Sequence, residues 1–290
     1  MDVSIIICTW NRAESLRRCL SSLVQLVIPD GLNWEVIVVN NRSTDNTGEV
    51  ATEFEQLLPI RLISEPQLGL SKARNSGLLN AKGKLIIFLD DDVLVDPSCV
   101  RAFWNGASAY PEAKLYGGII EPLICGTDRS RDEFLQDPFF DGLLLRKNLG
   151  PCSRLLTADE YFFGACFAGK EDFLNRWGFD TRLGKKGNEQ ILGEEIAIQD
   201  RAKASQVNRV WVAEAKVKHF IPGKRISYLE SRRYFWGMGR THYRLRNSLL
   251  FPRLKTFTIF GFWAQFNFFA GCLYEAVSSY FSFKIRTETF

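Results

Sequence analysis

The amino-acid sequence predicts an α/β protein: a Rossmann-like, mostly parallel sheet flanked by helices, followed by a helical C-terminal tail. Three observations lead there. Apolar runs in residues 1–120 are continuous, not alternating, which marks strands buried on both faces. Helix-period stretches separate these runs, as in a parallel sheet built from crossover units. Beyond residue 200 the charge balance inverts. Residues 1–200 carry 21 Lys/Arg against 29 Asp/Glu, whereas residues 201–255 carry 14 against two.

Taken in order, VSIIIC (3–8) is a buried strand, and Asn11 with Glu14 has the spacing of a capping box opening a helix. Leu16, Leu20, Leu23 and Val27 share one face of that helix. WEVIVVN (34–40) is the second strand, followed by a helix carrying Val50, Phe54 and Leu57. IRLIS (60–64) and KLIIFL (84–89) are the next strands, with a helix near Lys72–Asn80 between them, and AKLYGGII (113–120) is another. Residues 125–163 are poorly periodic and read as an irregular excursion. Order returns with a small-residue strand at Gly164–Ala168, a helix at 193–204, two short strands (RVWVAE and KVKHF) and a basic amphipathic helix from Ser227 to Leu245. The expected division is an α/β unit over 1–225, with halves at 1–122 and 123–225, and a basic, aromatic helical tail over 226–290.

With 46% hydrophobic and 24% charged residues, the 290-residue chain is not wholesale disordered. Its seven cysteines are scattered without a C-x-x-C pair, so a reducing compartment is the simplest expectation. MDVSIIICTWNR lacks a basic leader region and reads as a first strand, not a signal peptide.

The chemistry concentrates at IIFLDDDVLVDP (86–97). A buried-strand run ends in Asp90, Asp91 and Asp92, three carboxylates that repel one another unless a cation compensates them. A divalent Mg2+ or Mn2+ bridging carboxylates to substrate phosphates does so; a solvated loop with Asp96 and Pro97 opening a helix is the alternative. Ligands of doubly wound sheets bind beyond the C-terminal strand ends. That rule gathers Cys8, Thr9, Trp10 and Asn11, then Asn40 to Ser43, then the aspartates. No Walker A or G-x-G-x-x-G sequence occurs, which disfavours P-loop and dinucleotide folds. Glu194 and Glu195 open a helix, where paired acids also simply complement the dipole.

The succession VSIIICTWNR, WEVIVVNNRSTDNT, GLSKARNSGL, IIFLDDDV, FGACFAGKEDF and GEEIAIQDR resembles the family 2 glycosyltransferases of the GT-A fold over roughly residues 1–220. The resemblance implies an inverting, metal-dependent transferase that uses nucleotide-diphospho-sugars. It implies that Asp92 ligates the metal, that Asp90 supports it, and that Asp91 faces the nucleoside. Cys8, Trp10 and Asn40 fall on base-binding positions, and Arg74 falls near the phosphates. Many relatives have Pro at the position of Cys8 and Asp at that of Asn40. Asn40 can still accept from a base N–H, but its amide also donates, which leaves base preference open. The family's Glu-Asp catalytic pair matches Glu194-Glu195, with Glu195 in the position of the base. His219, at a strand end, is either a further metal ligand or a hydrogen-bonded structural residue. Arg232, Arg233 and Trp236 match a processivity element too poorly to imply processive synthesis.

Two other classes remain in view. A metal-dependent nucleotidyltransferase also groups acids beyond a parallel sheet, but CTWNRAES lacks the glycine such enzymes carry after their first strand. A non-catalytic sugar-nucleotide-binding scaffold would not need both the acid triplet and the Glu pair. The +12 block beside an apolar stretch points to anionic phosphates or a membrane surface. No recognised nucleic-acid motif accompanies it, so no nucleic acid partner is expected. Within residues 257–283, Phe262, Phe266, Phe269, Leu273, Val277 and Tyr280 share one helical face, and Asn267, Glu275, Ser278 and Ser282 the other. That pattern predicts an interfacial helix holding a peripheral enzyme on the cytoplasmic membrane face, near a glycan or lipid-linked acceptor. A single spanning helix, a homo-oligomer contact and burial in the core are the alternatives.

Overall fold

The computed structural model describes residues 1–126, 141–187, 189–223, 226–246 and 265–276. Among these residues nine strands form one sheet: β1 (Val3–Thr9), β2 (Trp34–Asn40), β3 (Ile60–Ser64), β4 (Leu85–Asp90), β5 (Val93–Val95), β6 (Leu115–Cys125), β7 (Arg154–Leu155), β8 (Cys166–Lys170) and β9 (Arg209–Pro222). The helices are α1 (Ala13–Leu23), α2 (Thr47–Glu53), α3 (Leu70–Asn80), α4 (Cys99–Ala109), α5 (Glu171–Trp177), α6 (Glu194–Ala204), α7 (Tyr228–Arg246) and α8 (265–276).

Spatial order runs β3-β2-β1-β4-β8-β6-β9-β5, with β7 paired to β9. The first four strands are parallel, as expected. From there the sheet is mixed, which corrects the expectation of a mostly parallel one: β8 runs antiparallel to both β4 and β6, and β5 and β7 run antiparallel to β9. Continuous apolar runs report burial on two faces but not direction. Both faces are indeed filled. Ile5, Ile7, Val36, Val38 and Ile87 pack with α1 and α4, while Ile6, Ile37, Val39, Ile86 and Phe88 pack with α3 and α6. Each such fully buried aliphatic or aromatic side chain contributes about 1.5–3 kcal/mol.

The antiparallel strands position chemistry. Pairing of Leu89 with Cys166 brings Gly164 and Ala165 beside the C-terminal end of β4, and the Asp90 amide donates to the Ala165 carbonyl at 3.4 Å. Pairing of Val93 with His219 brings the C-terminal part of β9 against the aspartates, and the Phe220 amide donates to the Asp92 carbonyl at 2.8 Å. The two short strands predicted over 209–220 are one 14-residue strand.

Three local expectations change. Asn11 does not cap α1; it adopts a left-handed φ of 52°, and its side-chain oxygen accepts the Thr44 amide at 2.7 Å. Arg12 stands at the cap without a side-chain hydrogen bond there. Val27 and Leu57 lie beyond the ends of α1 and α2 and are exposed, because both helices stop short of them.

The tail helix packs the other way round from a helix that hides its apolar face. Asn267, Phe268, Gly271, Cys272 and Glu275 of α8 are buried, whereas Phe266, Phe269, Leu273 and Tyr274 are exposed. The polar face is the packed one because α7 supplies cations to it: Arg240 Nε and Arg244 Nε donate to the two Glu275 oxygens at 2.8 and 2.7 Å. Close approach is possible because Gly239 and Gly271 have no side chain. A Cβ at Gly239 would lie 1.9 Å from the Phe268 carbonyl, and one at Gly271 2.2 Å from that of Trp236. Phe268 breaks the amphipathic pattern because it belongs to this packed face. Phe260, Phe262, Val277, Ser278, Tyr280 and Ser282 lie outside the described residues. Among the described residues no helix is long and apolar enough to cross a membrane.

Candidate active site

A cavity of about 940 Å³ opens at the C-terminal ends of β1 and β4, between the sheet, α6 and α7. Cys8, Thr9, Trp10, Asn11, Arg74, Asp90, Asp91, Asp92, Glu194, Glu195 and His219 all line it, so eleven of the twelve predicted site residues come together. Asn40 does not line it. Its side-chain oxygen accepts the Ser43 amide at 2.9 Å and shapes the loop after β2.

Arg74 organises the floor. It is 3% exposed; Nη1 donates to Glu194 Oε1 at 2.6 Å, and Nη2 to Asp90 Oδ1 at 3.2 Å and to the Gly164 carbonyl at 3.1 Å. Burial works against its charge, but Glu194 and then Asp90 keep it firmly protonated. A buried guanidinium with three fixed acceptors is a cross-brace joining α3, β4 and α6.

The two glutamates therefore differ. Glu194 is the paired one. Gly193 turns the chain into α6 at φ 85°, and Glu195, two residues on, presents its carboxyl to the cavity. Removal from water pushes that carboxyl up to about 8; the neighbouring Glu194 charge adds to the shift, and Arg74 opposes it. Tyr234 of α7 lies close by, its hydroxyl raised by burial and by the Glu195 charge. Cys8 is pushed up to about 12 by burial, so it presents a neutral thiol and not a nucleophile.

At the triplet, burial raises Asp91 to about 6 although Arg12 opposes the shift. Asp92 turns one oxygen toward His219 Nε2 at 3.2 Å, and the buried His219 Nδ1 has no hydrogen-bond partner. Among the described residues no group of three or more His, Cys, Asp or Glu is placed to hold a metal ion by itself. An open site is what a substrate-bound cation needs, since Mg2+ and Mn2+ sites of this kind combine one or two carboxylates with phosphate oxygens and water. Asp92, Asp90 and an imidazole with a spare nitrogen fit such a cation.

The sequence reading missed Arg12 and Tyr234. Arg12 follows directly on the predicted loop residues, so its place was a usable signal; Tyr234 becomes visible only when α7 folds over the cavity.

With this geometry in hand, similarity to known proteins places the chain in a class. Residues 4–168 match Glycosyl transferase family 2, and the protein belongs to that family. The mannosyltransferase PcManGT of Pyrobaculum calidifontis, solved with GDP-Man and Mn2+, superposes with a TM-score of 0.61 at 17% identity, over 99% of this chain and 80% of that one. TarS of S. aureus, solved with UDP-GlcNAc, gives 0.59 at 16% identity over 87% and 68%. At this identity the likeness shows the fold. In sequence, Glycosyltransferase GlyA of Streptococcus pneumoniae is 33% identical over 109 residues, 37% of this chain and 15% of that enzyme. Glucosyl-dolichyl phosphate glucuronosyltransferase of Haloferax volcanii is 24% identical over 225 residues, 76% of this chain and 69% of that one. The matched stretches thus span only a minor part of the GlyA length but most of the dolichyl enzyme.

Proposed function

We propose that the protein is an inverting glycosyltransferase, moving a sugar from a nucleotide-diphospho-sugar to a hydroxyl of a glycan or lipid-linked acceptor in cell-surface polysaccharide synthesis. The observation that carries this reading is Arg74, which ties one glutamate of α6 and one aspartate of β4 into a single cavity and leaves Glu195 free to face it. Cys8, Thr9, Trp10 and Asn11 form the nucleoside side of the cavity, with Asp91 toward the ribose and base. Glu195 accepts the proton of the acceptor hydroxyl, which attacks the anomeric carbon opposite the leaving diphosphate; configuration inverts, and charge builds on an oxocarbenium-like sugar. A divalent cation held by Asp92, with Asp90 and His219 in support, would act as Lewis acid and template for the diphosphate. Incubating purified protein with Mn2+ and a panel of nucleotide sugars should release nucleoside diphosphate. Formation of nucleoside triphosphate and sugar 1-phosphate when pyrophosphate is added to the same donors would instead indicate a nucleotidyltransferase, and no turnover of any donor would leave a binding scaffold.

The exposed face of α8 supports a membrane-proximal acceptor. Phe266 is 63% exposed, Leu273 45% and Tyr274 51%, side by side with the cationic α7. A lipid-linked acceptor is in keeping with the dolichyl phosphate enzyme among the relatives. Such a face would enter the headgroup region of a peripheral, cytoplasmic-side enzyme, helped by about 1 kcal/mol per basic residue near anionic lipid. The full chain should float with vesicles rich in phosphatidylglycerol, and Phe266→Ser/Leu273→Ser should cut the bound fraction at least about fivefold. Equal flotation of both proteins would return this face to another role, such as a homo-oligomer contact.

A further inference from the structure

The triplet already has a cation against it. Arg12 Nη1 donates to Asp91 Oδ1 at 2.9 Å and to Asp92 Oδ2 at 2.6 Å, so one nitrogen bridges both carboxylates. The other Asp92 oxygen faces His219. Arg12 thereby covers one of the two Asp92 oxygens that a metal would use. We propose that Arg12 and the divalent cation compete for the same carboxylates, so that Arg12 acts as a built-in counter-ion whose withdrawal couples cation loading to diphosphate arrival. This rests on the reading of the triplet as a cation site.

The contrast with Arg74 supports it. Arg74 is sealed in at 3% exposure with three acceptors around it, whereas the Arg12 side chain is 34% exposed above carboxylates that are 6% and 8% exposed. Arg12 therefore reaches the aspartates from the open side of the cavity and can leave the same way. Its backbone need not follow. The Arg12 amide donates to Thr47 Oγ1 at 3.1 Å, and its carbonyl accepts the Leu16 amide at 2.9 Å. Those bonds hold the Cα while the side chain turns. A guanidinium and a divalent ion on one pair of oxygens repel strongly in a partly dry site. A diphosphate removes the conflict, since it gives the guanidinium a forked anionic partner of its own. Linkage then makes the effect reciprocal: diphosphate raises cation affinity by the factor by which the cation raises diphosphate affinity.

The test is Mn2+ alone, titrated into full-length wild type, Arg12→Gln and Asp92→Ala, with free Mn2+ followed by electron paramagnetic resonance. Arg12→Gln should bind at least about tenfold tighter than wild type, and Asp92→Ala should lose the site. Unchanged or weaker binding by Arg12→Gln, with Asp92→Ala still losing the site, overturns the competition and leaves the cation reading intact. Equal binding by Asp92→Ala and wild type overturns both. A measurement on the wild type covers the case in which Arg12→Gln does not fold: the Arg12 Nε–H resonance should shift on adding Mg2+, and a resonance that ignores Mg2+ overturns the proposal.

Discussion

Glu195→Gln is expected to lower kcat by about 10²–10⁴-fold, the usual worth of a general base, with donor affinity nearly unchanged. The amide keeps the size and the hydrogen-bonding oxygen and loses only the capacity to take a proton, so the deficit belongs to the chemical step. The pH dependence follows from the same burial. With the Glu195 carboxyl pushed up to about 8, the base form is the minor one at neutral pH. Wild-type kcat/KM should therefore rise about tenfold per pH unit on the acid side and level off near 8. Stability should move the opposite way. Between the ordinary value of 4.5 and about 8, the folded protein holds a proton that the unfolded chain has released. Stability therefore falls as pH rises through that window. Glu195→Gln removes this penalty. Its Tm should exceed that of wild type by about 5 °C at pH 8 and by little at pH 5, an activity-for-stability exchange of the kind active sites show.

Asp92→Ala is expected to abolish cation-dependent nucleotide binding. Without Asp92 the cation loses the carboxylate that faces both His219 and the cavity, and the remaining acids repel the diphosphate. In calorimetry with Mn2+, whichever nucleoside diphosphate the wild type binds should bind it at least about 10²-fold tighter than the variant. Chelator should erase the difference. Affinity that is equal in both proteins and indifferent to metal would remove the triplet from donor binding.

The strands were legible because burial on two faces writes itself as continuous apolar runs. The direction of the later strands was not. CFAGK and KLIIFL look alike whether parallel or antiparallel, and only the path of the chain through residues 141–165 decides that β8 returns against β4. In sequence the long β9 looks like two strands because Glu214, Lys216 and Lys218 interrupt its apolar pattern; in the sheet they alternate outward while Val217 and His219 point in. That alternation already marked His219 as an inward residue. The site loops were legible because ligand positions at strand ends follow from topology, and the order of six motifs located them. What stayed hidden depends on contacts distant in sequence. Arg74 pairs with Glu194 across 120 residues and Arg12 with Asp92 across 80. Neither pairing leaves a trace in local composition. The capping expectation at Asn11 failed for a similar reason, since its side chain is recruited by Thr44 of the next loop.

On the proposed mechanism Glu195, and not Glu194, activates the acceptor in a cavity that binds nucleotide sugar. The most direct measurement is a paired single-turnover assay of Glu194→Gln and Glu195→Gln, using whichever donor the wild type consumes and with donor affinity measured alongside. Glu195→Gln should bind donor like wild type and scarcely turn it over. Glu194→Gln should keep much of the chemical rate but lose roughly 3 kcal/mol of stability, because it strips the buried Arg74 of its closest charged partner. If Glu194→Gln is the silent variant while Glu195→Gln turns over at near the wild-type rate, or if both remain active, the account is contradicted.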